Sequence, residues 1–221
     1  MKIDFHVHTN KSMDSIIKPR ELSTKAKKLG IVPCSTDHNV MSAHAELKEL
    51  GLEFIPGEEI RTVEGDLIGL YLNEAIPKKT PFLEAIDQIR EQGAIAYLPH
   101  PFDYSRHAVQ EKELASKVDA IEIFNARCPF QIYNQKADEL ANELGKLKSI
   151  GSDSHFLFEF GHNYIEIDGE FSDYYDNPKE LLKALRSKNL KFVTKKAPFY
   201  VRGTTLAVKH VRTIFRKLNL H

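Results

Sequence analysis

The stretch Asp4–Asn10, DFHVHTN, places two histidines two positions apart in a run that is typical of a β-strand. Residues i and i+2 of an extended strand point to the same face, so the side chains of His6 and His8 are predicted to lie side by side. Two imidazoles on one face can chelate a cation. The alternative for an isolated pair is an exposed polar strand end, and the rest of the chain has to decide between the two.

Short β-rich runs alternate with helical patterns along the whole chain. The β-rich runs are KIDFHVHT, IVPCSTDH, LEFIPGEEI, DLIGLYL, AIAYLPH, DAIEIFN, LKSIGSD, NYIEID and LKFVT. Helices are predicted between them, at about residues 81–92 and 131–144 among others, and glycines typical of helix ends follow at Gly30, Gly51, Gly93 and Gly145. Seven or more strands with intervening helices favour an α/β parallel barrel over an open doubly wound sheet.

Composition indicates one globular domain, residues 1–221, because 42% of the residues are hydrophobic. Lysine plus arginine equals aspartate plus glutamate at 31 each, so no overall field draws the protein to nucleic acid or to a membrane. The two cysteines, Cys34 and Cys128, are too few for a disulfide framework. With no leader pattern and no apolar run long enough to span a bilayer, we expect a cytoplasmic protein without a transmembrane segment.

Histidines and acids recur where the predicted strands end. They are His6 and His8, Asp37 and His38, Glu58 and Glu59, His100, and Asp153 and His155, with Asp14 shortly after the first strand. In a parallel barrel these ends meet on one face, where active sites are built. Imidazole and carboxylate groups suit divalent metals, and so many of them exceed the coordination sphere of one ion. A glutamate such as Glu59 can bridge two ions, so we expect more than one.

Six motifs in order resemble the PHP (polymerase and histidinol phosphatase) family: DFHVHTN, STDHN, PGEEI, LPHPFD, EIFNARC and GSDSH. The resemblance covers about residues 1–168. It implies a distorted (β/α)7 TIM-like barrel with a metal site at the C-terminal ends of the strands. It also implies a metal-dependent phosphoesterase that hydrolyses a phosphoester with a metal-activated water at a di- or trinuclear site, using two or three divalent ions (Zn, Mn or Fe).

By the same resemblance, His6, His8 and Asp153 look like ligands of a first ion, with Glu59 as the bridge. His100 and Cys128 look like ligands of a second ion, and Asp14, His38 and His155 look like ligands of a third. Asp153, His155 and Glu59 are the candidate catalytic residues. Strand alternation sends only one of Glu58 and Glu59 inward, and the family's Gly-x-Glu pattern favours Glu59. Asp66 stands where many relatives have a histidine.

Several residues keep a structural alternative. Cys128 is either a thiolate ligand or a small buried apolar side chain. Arg106 and Arg127 each follow a site strand, so each is either a substrate-phosphate ligand or a solvated loop residue. Asp37 is expected to orient a neighbouring ligand. The remaining histidines are divided between the rim (His107, His162) and the surface (His44, His210, His221).

The segment 188–221 is strongly basic and contains apolar residues at helical spacing: Leu206, Val211, Ile214, Phe215 and Leu218. It is predicted to form a basic amphipathic helix. Such a helix either packs on the body of the protein or binds a polyanion such as nucleic acid or anionic lipid. Because every ligand candidate precedes residue 156, we expect the segment to be a substrate or docking element and not part of the catalytic machinery.

The expected substrate is a phosphorylated small molecule or a nucleotide. One alternative is a nuclease or exonuclease that acts on nucleic-acid ends, which the basic segment favours and the neutral overall charge disfavours. A second alternative is a non-catalytic metal-binding module, although such modules often lose ligands that this chain keeps. The sequence contains neither a nucleophile elbow nor a Gly-rich phosphate loop.

Overall fold

The structure, a computed structural model, describes residues 1–217 and contains nine strands and eight helices. The strands are β1 Lys2–Val7, β2 Ile31–Ser35, β3 Ile55–Arg61, β4 Asp66–Leu70, β5 Ile95–Leu98, β6 Ala120–Asn125, β7 Leu147–Gly151, β8 Tyr164–Glu166 and β9 Lys191–Val193. The helices are α1 Pro19–Leu29, α2 Ala43–Glu49, α3 Phe82–Glu91, α4 Lys112–Ala115, α5 Gln131–Leu144, α6 Phe171–Tyr174, α7 Pro178–Ala184 and α8 Val201–Lys217. None of these helices is long and apolar enough to cross a membrane.

All nine strands form one sheet in the order β7-β6-β5-β4-β3-β2-β1-β8-β9. The sheet curls into a nearly closed barrel, because the segment after β7 pairs with the end of β1. The amide of Asp153 donates to the carbonyl of His6 (2.7 Å), and the amide of His8 donates to the carbonyl of Ser154 (3.1 Å). The predicted α/β barrel-like fold is therefore confirmed, and the closing hydrogen bonds bring the two ends of the site together.

Strand β4 departs from a regular succession of parallel strands and helices. It pairs antiparallel with both β3 and β5, whereas β1, β2 and β3 run parallel, as do β5, β6 and β7. Only residues 62–65 connect β3 to β4. A parallel crossover needs about a dozen residues or more, so this short connection can only form a hairpin. As a result Asp66, the first residue of β4, lies opposite Arg61 at the edge where the parallel strands end.

Buried aliphatic and aromatic side chains from the strands and from the inner faces of the helices form the main core. Its members include Ile3, Phe5, Ile55, Leu67, Tyr97, Ile121 and Ile150. The helix limits follow the sequence pattern closely, since α5 covers the predicted residues and ends at Gly145 in the left-handed conformation (φ 61°). His44 was expected at the surface, but it is buried in α2 beside Phe54, with Nε2 3.4 Å from the carbonyl oxygen of Ser35.

Gly151, at the end of β7, leaves the space in which two site residues meet. A Cβ atom at this position would collide with Oε1 of Glu122 and with Cβ of His6. These two side chains are themselves joined by a hydrogen bond of 3.1 Å between Nδ1 of His6 and Oε1 of Glu122. The absence of a side chain at Gly151 therefore permits the close approach of β1, β6 and β7 below the site.

We expect Gly151→Ala to lower the free energy of unfolding by about 1–3 kcal/mol, the usual cost of overpacking a buried position. The matched control is Gly203→Ala in α8, where a Cβ atom meets nothing within 4 Å. Alanine is favoured over glycine in a helix by about 1 kcal/mol, so the control should be neutral or stabilising. Urea unfolding with a chelator present measures both variants, and wild-type stability in Gly151→Ala would contradict the packing argument.

Candidate metal centre and active site

The structure gathers the predicted strand-end residues at one edge of the barrel. The group comprises His6, His8, Asp14, His38, Glu59, His100, Asp153 and His155. All but His38 are buried, and the His38 side chain is about one-third exposed. The i and i+2 spacing in β1 has the predicted effect, since the Nε2 atoms of His6 and His8 lie 3.0 Å apart.

Glu59 lies at the centre of this group. Its Oε2 atom is 3.2 Å from Nε2 of both His6 and His8 and 3.0 Å from Nδ1 of His38, and its Oε1 atom is 2.9 Å from Nε2 of His100. Burial alone would raise the pKa of Glu59, but His38 and His6 lower it well below its usual value. The carboxylate is therefore ionised, and both of its oxygens face ring nitrogens.

Glu58 points to the opposite face of β3, as strand alternation requires. One of its oxygens accepts a hydrogen bond from the amide of Ile76 (2.8 Å), and the other has no hydrogen-bond partner among the described residues. Burial raises the pKa of Glu58 to about 7. The two adjacent glutamates therefore differ in surroundings, and only Glu59 reaches the histidines.

Among the described residues there are three sets of three possible metal-binding residues. Within each set, the donor atoms lie within 4.8 Å of one another. The sets are His6, His8 and Asp153; His6, Glu59 and His100; and His8, His38 and His155. The first set joins the residues expected for a first ion. In the second set, Glu59 and His6 accompany His100. In the third set, His8 accompanies His38 and His155, both of which also face Asp14.

Asp14 joins the third set from the loop after β1. Its Oδ2 atom is 3.5 Å from Nε2 of His38, and its Oδ1 atom is 3.4 Å from Nε2 of His155. Burial would raise its pKa, but hydrogen bonding to His155 and His38 lowers it well below the usual value. Burial, with Arg127 and His8 nearby, lowers the pKa of His155 to about 3, so this ring is neutral.

Hydrogen bonds outside the cluster assign the tautomers of three histidines. Nδ1 of His6 donates to Glu122 (3.1 Å), and Nδ1 of His155 donates to the carbonyl of Asp153 (2.8 Å). Nδ1 of His8 is 3.3 Å from Oγ of Ser12, which in turn donates to Asp37. With Nδ1 as the donor to these partners, Nε2 is the ring atom that faces the cluster and that a metal ion would bind.

The donor set fits divalent cations. Asp14, Glu59 and Asp153 are held in their ionised form, and their negative field raises the pKa of His6 and His38 against the opposing effect of burial. A buried concentration of carboxylates and imidazole lone pairs is costly unless positive charge accompanies it. Oxygen and nitrogen donors of this kind suit zinc, manganese or iron.

Two members of the cluster have unusual backbone conformations. The φ angles of His100 and Asp153 are 31° and 52°, in the left-handed region that residues with side chains seldom adopt. The amide of His100 donates to Glu122 (2.7 Å), and the amide of Asp153 donates to the carbonyl of His6 (2.7 Å). These hydrogen bonds hold the strained residues in place, and such strain is concentrated at functional sites.

Cys128 is buried, but its sulfur is in none of the three donor sets among residues 1–217. Burial raises the pKa of its thiol to about 12, which is opposed only in part by Arg106. A protonated, buried thiol packs as a small apolar side chain. The structure therefore places Cys128 near the candidate centre, but its sulfur does not belong to the donor set that contains His100.

The two candidate substrate-binding arginines occupy different settings. Arg106 forms ion pairs with Asp153 and, at 3.0 Å, with Asp103, and it lines the cavity over the cluster. Arg127 also borders this cavity, but its guanidinium pairs with Glu159 (3.0 Å) and donates to the carbonyl of Val201 in α8 (2.9 Å). Arg106 therefore faces the candidate reaction centre, whereas Arg127 fastens the C-terminal helix to the barrel.

Glu122 and Asn125 belong to the site but were not singled out from the sequence. Glu122 bonds His6 and the amide of His100, and it accepts from Nδ2 of Asn125 (3.0 Å). Asn125 also donates to Asp153 (3.2 Å). Both lie in the EIFN run of β6, and the signal that could have found them is a glutamate within an otherwise apolar buried strand.

The basic segment forms α8, which lies along the mouth of the site. Arg202, Thr205, Leu206 and Lys209 border the cavity of about 400 Å³ that contains the cluster. These residues of the predicted substrate or docking element therefore reach the cavity wall, and the role of the segment stays a prediction. The chain folds back far enough for Arg212 to donate to the carbonyls of Ser12 (2.9 Å) and Ser15 (2.7 Å). Two residues named from the sequence, Leu218 and His221, lie outside the described part of the chain.

Comparison with known proteins finds a family match and a relative in sequence. The family described as PHP-associated matches residues 131–190. The uncharacterized protein MJ0417 of Methanocaldococcus jannaschii is 36% identical over 244 aligned positions, which cover 100% of this chain and 100% of the relative.

Two solved structures share the fold at low sequence identity. A two-domain protein from Bacteroides vulgatus, said to contain a predicted PHP-like metal-dependent phosphoesterase, aligns with a TM-score of 0.62 and 18% identity over 81% of this chain. The present chain spans 63% of that protein's length. An amidohydrolase from Chromobacterium violaceum, with bound SO4 and no metal, aligns with a TM-score of 0.60 and 15% identity over 86% of this chain and 97% of its own. The chain belongs to the PHP domain family.

We expect Glu59→Gln to weaken metal binding more than about 100-fold, since even outer partners of ligands contribute 10- to 100-fold. The amide replaces a charged oxygen that faces several histidines. The matched control is Glu58→Gln, which keeps an acceptor for the amide of Ile76 and should retain the metal. Metal content by elemental analysis and affinity by calorimetry distinguish them, and loss of metal in Glu58→Gln alone would mean that the register of β3 is wrong.

Cys128→Ala should leave the metal content per chain unchanged, because the Cys128 sulfur lies outside the donor sets. Elemental analysis after purification without chelator provides the measurement, with Asp153→Asn as the variant that should lose metal. A lower occupancy in Cys128→Ala would make the thiolate a ligand, with the Zn–S bond of about 2.3 Å that a thiolate forms.

Proposed function

We propose that this protein hydrolyses a phosphoester by means of a di- or trinuclear metal centre. The observation that carries the proposal is the convergence of three donor sets below a cavity whose wall includes Arg106. His6, His8 and Asp153 would hold a first ion, Glu59 and His100 would share in a second, and Asp14, His38 and His155 would hold a third. Zinc, manganese and iron all suit these donors.

Divalent ions bound here would polarise phosphoryl oxygens and lower the pKa of water. The chain's own groups complete the site. Arg106 presents its guanidinium to the cavity, and the contacts with Asp103, Asp153 and Asn125 hold the planar fork in a fixed orientation. A fixed arginine fork matches the oxygens of a phosphoryl group in geometry and charge.

Asp153 contacts both Arg106 and His8, and His155 contacts both Asp153 and Asp14, so we assign Asp153 and His155 to the reaction centre together with Glu59. Asp153 is kept ionised by Arg106 and His6 against the opposing effect of burial. His155 is kept neutral, with its Nε2 lone pair toward the cavity side of Asp14. Both groups are therefore unprotonated at neutral pH, as binding of a cation requires.

Hydrolysis of an amide is the second candidate, because the Chromobacterium violaceum relative by fold is an amidohydrolase. The cationic wall of the cavity favours the phosphoester, since a phosphoryl group carries the negative charge that Arg106 recognises, whereas an amide carries none. Within phosphoesters, a phosphorylated small molecule or nucleotide is proposed as the substrate. A non-catalytic role is disfavoured by the ionised carboxylates, which remain directed at an open cavity.

We expect the protein to contain more than one ion per chain and to hydrolyse p-nitrophenyl phosphate when supplied with manganese, zinc or iron. Protein treated with a chelator should lose turnover and regain it with metal. Elemental analysis and release of p-nitrophenol measure the two quantities, and p-nitroacetanilide provides the matched amide. A metal content at or below one ion per chain would contradict the multinuclear centre. Hydrolysis of p-nitroacetanilide without hydrolysis of p-nitrophenyl phosphate would identify the protein as an amide hydrolase.

A further inference from the structure

A second cavity continues from the candidate centre toward the rim. It has a volume of about 640 Å³, against about 400 Å³ for the cavity over the cluster. The two share Asp14, His38, Arg61, Asp66 and Lys209, so they form one continuous groove. We call the larger part the outer cavity. A molecule that places one end at the metal centre can extend into it.

The outer cavity contains three cationic side chains that form no ion pair among the described residues, and two acids, Asp14 and Asp66, also line it. Arg61, Lys78 and Lys209 line it, are exposed, and have no carboxylate within 4.0 Å among residues 1–217. Lys11, also on its wall, pairs with Glu46 (3.3 Å). Neighbouring cations without acidic partners repel one another, so an arrangement of this kind is relieved by a bound anion.

Helix α8 holds Lys209 in position through anchors on both sides. Before it, Arg127 donates to the carbonyl of Val201 (2.9 Å), and Arg202 pairs with Asp103 (3.3 Å). After it, Arg212 donates to backbone carbonyls of the loop that carries Asp14. Lys209 and Arg202 are seven residues apart, about two helical turns, so they share the face that borders the groove.

The wall of the outer cavity also includes apolar residues. Met13, Val40, Ala75 and Pro77 contribute to it. A groove that combines the candidate metal centre, apolar wall residues and unpaired cations matches a molecule with an organic part and two anionic groups. A monoester of a small neutral alcohol would leave Arg61, Lys78 and Lys209 without a partner.

We propose that Arg61, Lys78 and Lys209 form a second anion subsite, and that the substrate is a small organic molecule with a further phosphate beyond the phosphoester that is hydrolysed. The inference rests on the proposed function, because it places the reacting phosphoester at the metal centre. Helix α8 thus determines specificity, and Lys209 contacts the part of the substrate that does not react.

Calorimetry with non-hydrolysable phosphonates tests the subsite. Butane-1,4-diphosphonate should bind the metal-loaded wild type about tenfold more tightly than butylphosphonate, which corresponds to one added charge-assisted contact. Lys209→Met and Arg61→Met should each remove most of this preference. Lys217→Met, which changes an exposed lysine further along α8, is the matched control and should keep it. Melting temperatures report whether α8 stays docked in each variant.

Equal affinity of the wild type for the two phosphonates would overturn the subsite, as would a preference that survives in both Lys209→Met and Arg61→Met. If p-nitrophenyl phosphate is hydrolysed at the same time, the proposed function stands and only the inference fails. A wild type that binds neither phosphonate and hydrolyses no phosphoester overturns both. The small-molecule assignment would be overturned if the wild type hydrolysed a short oligonucleotide but not butyl phosphates, and if Lys209→Met lost this hydrolysis.

Discussion

The ionised carboxylate of Glu59, buried among histidines, is the interaction on which the rest of the structure depends. Four rings from three separate parts of the chain face its two oxygens, and a charge in such a position is tolerated only with compensating positive charge. Strand alternation turns Glu59 inward and Glu58 outward, so the sheet itself selects which glutamate faces the histidines. The barrel has to close before Asp153, which follows β7, can reach His6 in β1, because these two residues are far apart in the sequence.

Closure in turn depends on a small number of specific contacts. Gly151 leaves room for Glu122 and His6, and Glu122 then reaches both the His6 ring and the backbone of His100. Left-handed conformations at His100 and Asp153 cost about 1–3 kcal/mol each in general, so they persist only where surrounding contacts enforce them. The buried polar network below the cluster supplies those contacts, and it orients the side chains of the donor sets.

Helix α8 joins the rim of the site to the barrel. Arg202 and Arg212 contact the loops after β5 and β1, which carry Arg106 and Asp14. The basic side of the helix therefore serves two purposes, since some cations brace the loops and Lys209 remains available to the groove. Helix α8 therefore contacts the loops that position Arg106 and Asp14, and we expect substitutions in this helix to affect substrate choice.

Local sequence determined a large part of this protein. Period-two alternation placed His6 with His8 and separated Glu59 from Glu58, and helix signals located α5 between Gln131 and Gly145. The order of strand-end motifs pointed to one crowded edge and to the family, because parallel strands bring their carboxyl ends together wherever such a barrel forms.

Tertiary structure alone decided the remainder. It placed Glu122 under the histidines, kept the Cys128 sulfur out of the donor sets, and laid α8 across the mouth of the cavity. These outcomes depend on pairings between residues far apart in the chain, such as Arg212 with the carbonyl of Ser12. Periodicity and residue type report which face of an element is buried, but they do not report which distant element covers that face.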